Sequence, residues 1–116
     1  MLNTLSRSRF RSSFKLDDKD LVYIDRVGLE KIELHARDFI TNKLAPAKPR
    51  NDGKQTPFKG HPIFKAQHAT ATCCRSCFKK WYKIPKGREL SPKEIDRALN
   101  VVMGWVMKQL ESRSQE

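Results

Sequence analysis

In residues 43–88 the chain has almost no negative charge: twelve lysines and arginines stand against Asp52 alone. No acidic pair lies in a plausible site, which leaves carboxylate-based glycoside hydrolysis and two-metal nuclease chemistry without support. No apolar stretch approaches the roughly 20 residues of a membrane helix. The N-terminal Arg7, Arg9 and Arg11 are followed by no apolar run, so the start does not read as a secretory signal. Cysteine is scarce as well. The three thiols, Cys73, Cys74 and Cys77, cannot all pair within one chain, and two are adjacent. That excludes a disulfide framework and points to a cytoplasmic protein whose thiols are free or bind metal. At 116 residues the chain makes a single domain with one modest core.

The charge that is present is unevenly placed. Residues 1–15 carry four basic groups and no acidic one, and residues 16–42 sum to −3. Residues 43–88 sum to +11 and residues 89–116 to −1. A cationic arm and a cationic middle favour polyanions, of which nucleic acid is the commonest in a cytoplasm. An acidic protein partner fits the same field, and a merely solubilising charge is the plainer alternative.

Helix signals organise the rest. Residues 1–15 read as a basic arm that Phe10 and Phe14 pin to the body. Asp17 and Asp20 form a capping pair, with Leu16 and Leu21 at the staple positions and Gly28 as a left-handed terminator. A second helix is expected from about Leu29 to Leu44, ended by Pro46. Residues 45–67 hold four prolines and two glycines, and Asn51-Asp52-Gly53 is a turn signal. This predicts a long ordered loop that carries His61 and His68 to a site. A third helix is expected from near Thr70 or Thr72 to Tyr82. Ser91-Pro92-Lys93-Glu94 opens the last, with an apolar stripe of Ile95, Ala98, Leu99, Val102, Trp105, Val106 and Leu110 interrupted by Gln109. The expected fold is therefore mainly α, a compact bundle of about four helices. Residues 1–15 form the arm, 16–112 a single helical domain and 113–116 a tail.

The chemistry gathers in residues 60–81, which hold every cysteine and two of the three histidines. Cys74-x-x-Cys77 is a thiolate spacing that suits zinc at a turn or helix start. The expected ligands are His61, His68, Cys74 and Cys77, with Cys73 as substitute and zinc as the structural cofactor. Two other readings stand beside this one. Small thiols also pack helices as buried hydrophobes, and a thiolate near Arg75 and Lys79 at a helix N-terminus would be reactive. His35 reads as a structural histidine. Lys79, Lys80, Lys83, Lys86 and Arg88 interleave with Trp81 and Tyr82, a phosphate and stacking surface that Arg7, Arg9 and Arg11 would extend. Trp81 itself reads as core. Lys54-Gln55-Thr56 lacks the remainder of a phosphate-loop motif.

The motifs Arg7-Ser8-Arg9-Phe10-Arg11, His35-Ala36-Arg37-Asp38-Phe39 and Pro49 through Pro57 recur in one known family. So do Gly60-His61-Pro62, Gln67 through Cys77, Lys80-Trp81 and Ile84-Pro85-Lys86-Gly87-Arg88. Over nearly its whole length the chain resembles the uncharacterised bacterial and phage family numbered four-one-eight-six among the domains of unknown function. The resemblance implies no activity. Tyr82 stands where many relatives are expected to have histidine, which favours the four ligands already named. The function expected from the sequence is a small zinc-stabilised nucleic-acid-binding or accessory domain. A thiol- or metal-dependent enzyme of hydrolysis or group transfer, with His68 or His61 as base, and a protein-interaction adaptor are the alternatives.

Overall fold

The computed structural model describes residues 9–114; Arg7 lies outside them. The first element, α1 (Arg9–Ser12), is a single turn in the arm, and α2 (Asp18–Val27) follows it. Asp17 and Asp20 form a reciprocal capping box at the start of α2, each carboxylate accepting the other's backbone N–H at 2.9 Å. Leu16, just before the cap, is buried. Gly28 separates α2 from α3 (Leu29–Phe39) with φ 93° and ψ 146°, a backbone region open to little but glycine. Its positive φ agrees with the sequence, although the residue is more extended than a left-handed helical cap. The helix continues from α3 as a π-turn over Ile40–Leu44, so the long second helix is present as expected.

Where the sequence predicts one long loop, the chain inserts α4 (Pro62–Ala69). This and the arm turn raise the count among the described residues from about four helices to six α-helices, with no strand. Pro62 occupies the first turn of α4, and the imidazole of His61 caps it by accepting the Ile63 N–H at 3.0 Å. Histidine is not among the preferred capping residues, so this start carries little local signal. A buried turn with Ala71 at φ 61° leads to α5 (Arg75–Tyr82), several residues later than predicted. The last helix, α6 (Pro92–Ser114), starts at the expected serine cap, where Ser91 and Glu94 exchange hydrogen bonds.

The core is one cluster. Ile32, Ala36, Ile40 and Leu44 of the second helix meet Ile63 and Ala66 of α4, Phe78 of α5, and Ala98, Leu99, Val102 and Val106 of α6. The polar member of the α6 stripe also has a use, since the side-chain carbonyl of Gln109 accepts the backbone N–H of Leu16 at 3.1 Å. Arg75 is the largest fully buried side chain. One of its terminal nitrogens donates to the carbonyls of Leu44 and Ala45 at 3.3 Å and Pro46 at 3.1 Å, and the other donates to Pro85 at 2.6 Å. It thereby satisfies carbonyls at the end of the π-turn, which have no partner within the helix. The sequence placed this cation beside the thiols; the structure turns its guanidinium toward those carbonyls.

Candidate metal centre

The turn between α4 and α5 is held by buried polar groups. Thr70 returns its hydroxyl to the Ala66 carbonyl at 2.7 Å, and the Gln67 amide donates to the Thr72 carbonyl at 3.0 Å. The Thr56 hydroxyl donates to the Cys73 carbonyl at 2.7 Å, which ties the preceding loop to the same turn. Cys74 is the cap of α5: its sulfur accepts the backbone N–H of Cys77 at 3.4 Å. The cap geometry brings the sulfurs of Cys74 and Cys77 to 3.3 Å. Cys73, one residue before the cap, adds a third sulfur, and all three lie within 4.8 Å of one another. A zinc–sulfur bond of about 2.3 Å sets the edge of a tetrahedral site at roughly 3.8 Å, inside that range. Three thiols stand close enough to hold a metal ion.

Cys73 and Cys74 are buried and Cys77 is partly exposed. Hydrogen bonds from the Cys73 and Cys74 thiols, with the Arg11 guanidinium adding to them, hold the Cys77 thiol far below its usual pKa, against burial. Hydrogen bonds with Cys74 and Cys77 push Cys73 up, as does burial. Negative charge in the trio therefore settles on Cys77, the most accessible sulfur. Arg11, expected on a solvent-facing arm, is buried. It donates to the His68 carbonyl at 2.5 Å and lies 5.8 Å from the Trp81 ring. Arg9 keeps an exposed position, and Phe10 and Phe14 dock as predicted, on Phe58 and His68.

The histidines take other places. His68 is buried beside the centre, yet its Nε2 donates to the carbonyls of Thr56 at 3.0 Å and Pro57 at 3.2 Å. Neither its ring nor that of His61 is in the group of ligand atoms that the three sulfurs form. His61 instead meets His35, ring nitrogens 3.0 Å apart, inside a box of Tyr23, Phe39 and Phe64. Thus the structure brings Cys74 and Cys77 together, replaces the two histidines with Cys73, and gives His35 a partner the sequence did not reveal. The helical spacing of Cys73 and Cys77 had hinted at the third thiol, but a turn rather than a helix delivers it.

The family described as Domain of unknown function (DUF4186) matches residues 1–107. The chain belongs to this family. No solved structure matches it. Every motif that carries the DUF4186 resemblance lies inside the matched region, the cysteine turn included. Tyr82, where histidine was expected in relatives, is buried and donates its hydroxyl to the Thr70 carbonyl, bracing the turn from α5.

The His35–His61 pair makes stability sensitive to acid. Because His61 Nδ1 accepts from Ile63, its Nε2 carries the proton and donates to Nδ1 of His35. Protonating His61 at Nδ1 breaks the bond to Ile63. Burial, and then the nearby His35, lower the His61 pKa from 6.5 to about 4. A depressed histidine pKa means that the unfolded chain binds the extra proton first. Its contribution is whole above pH 6.5 and is lost as pH falls toward 4. At 1.36 kcal/mol per unit the loss is about 2–3 kcal/mol, or about 10 °C in Tm. Thermal melts from pH 7 to 4 should show it, and His61→Asn, a good cap that does not titrate, should flatten the profile. An equal slope in the two proteins would assign the acid sensitivity to other groups.

Proposed function

We propose that this domain binds zinc through Cys73, Cys74 and Cys77 as a structural clip, and contacts nucleic acid with its cationic surface. The convergence of three sulfurs within 4.8 Å at a helix cap carries the first half. Soft thiolates are zinc ligands, and a small basic domain with a thin core gains folding free energy from such a clip. Burial of Cys73 and Cys74 favours a structural centre over one that turns over substrate. Elemental analysis of purified protein should find about one zinc per chain, and Cys77→Ala should abolish it. Metal-free protein with three thiols titrating freely would overturn the reading.

The second half rests on charge. Lys79, Lys80 and Lys83 are exposed and border a depression of about 480 Å3 on α5. Lys86 is held by Asp52 at 3.5 Å and Arg88 by both oxygens of Glu94 at 2.7 Å, so these two are less free for phosphate than the sequence implies. Phosphate contacts release counterions, and binding of this kind weakens as salt rises.

A further inference from the structure

A large cavity lies away from the cysteines, between the arm, α2 and the start of α4. Its volume is about 720 Å3, and Phe14, Lys15, Tyr23, Phe58, Lys59 and His61 line it. That is within the range of small-ligand pockets. Two features of its wall are unusual for a spare surface hollow. The first is Phe58, which leaves 59% of its surface exposed although other rings are close enough to cover it. It sits parallel to His68, at 4.4 Å and 11°, and parallel to Phe14, at 6.4 Å and 11°. A ring backed by two parallel rings is held rigidly with its remaining surface outward. The second is charge. The acidic groups of the wall, Asp17 and Asp20, are both taken by Lys65, at 3.2 and 2.5 Å. Among the described residues Lys15, Lys19 and Lys59 are in no salt bridge. The cavity therefore combines a preset aromatic face with a cationic wall, in which four ammonium groups stand against two carboxylates.

We infer that this cavity seats one nucleotide of a single strand, its base stacked on Phe58 and its phosphates on Lys15 and Lys59. The inference rests on the nucleic-acid reading above and gives it a place. An aromatic face offers every base the same stacking surface, so it suits single strands and tolerates sequence. A paired duplex keeps its bases stacked inside and cannot use it. Lysines bind phosphate as point charges and need no fixed geometry. The consecutive residues Phe58, Lys59, Gly60 and His61 thus supply the ring, the cation and the entry to α4.

The test is fluorescence anisotropy with a short labelled oligothymidylate and a duplex of equal length, on the full chain. Wild type should bind the single strand at low salt and lose affinity as salt rises. Phe58→Ala should weaken single-strand binding about tenfold, with duplex binding and the melting curve unchanged. Lys15→Gln with Lys59→Gln should reduce the salt slope by about 1.4, and this pair carries the test should Phe58→Ala fail to fold. If wild type binds but only Lys79→Gln with Lys80→Gln weakens it, the cavity assignment is overturned and the nucleic-acid reading survives. If wild type binds neither oligonucleotide at low salt, both are overturned.

Discussion

If the three sulfurs hold the proposed zinc, a chelator should lower the melting temperature by about 10 °C, and Cys77→Ser should reproduce most of that loss without chelator. The reasoning is mass action. A ligand held by the folded chain but not the unfolded one adds about 2.7 kcal/mol at one hundred times its Kd. For a domain of this size that is about 10 °C. The clip acts at a sensitive point, since the α4–α5 turn also holds Thr56 of the long loop and the arm through Arg11. Scanning calorimetry with and without a zinc chelator measures it. Differential effects of the three substitutions would be informative too. Cys74→Ser retains a good cap for α5, so its loss should come only from the metal and vanish once metal is removed. Equal melting curves for apo and loaded protein would show that the thiols merely pack the turn.

Arg75→Met should be the most damaging single substitution outside the metal centre, at about 1–3 kcal/mol for each buried carbonyl left without a donor. Methionine fills much of the same volume, so the cavity it leaves is small. The damage comes from the carbonyls of Leu44, Pro46 and Pro85, which would lose their guanidinium donor, Leu44 in a fully buried setting, whereas Ala45 keeps the Leu90 N–H at 2.9 Å. Arg75→Lys should recover little, because a single ammonium cannot span carbonyls that the two ends of the guanidinium fork now divide. The contrast is Arg37, whose pair with Asp96 is 3.3 Å long, with side chains 49% and 57% exposed. Arg37→Met should cost about 0–1 kcal/mol. Urea unfolding of the three variants measures the difference, and similar midpoints for Arg75→Met and Arg37→Met would refute the structural role of the buried cation.

Arg75 also shows why the sequence could be read only in part. Elements whose signals are local were legible: the capping pair at Asp17 and Asp20, the Gly28 break, the Ser91 start and the α6 stripe. The cysteine window was legible as well, because ligand chemistry is a property of residue type and spacing. What the sequence could not show were choices that depend on distant partners. Whether Arg75 serves a thiolate or a set of carbonyls is decided by a π-turn about 30 residues earlier. His61 fits a zinc site as well as it fits His35, and only the packing of α3 against α4 selects the latter. Cys73 stands outside the C-x-x-C spacing and so reads only as a substitute, whereas the turn that contains Ala71 brings it to the other two sulfurs.

The hydrogen bond from Leu16 to Gln109 spans 93 positions of the chain. During synthesis the arm emerges well before its anchor on α6. Phe14, the capping segment and the cavity wall they form stay without that anchor until translation has passed Gln109. Closing so distant a contact late is slow, because loop entropy opposes it until the rest of the core has formed. The cavity is therefore assembled at the end of folding, and a nascent chain halted before Gln109 would keep its cysteine turn yet lack the tether that fixes the arm.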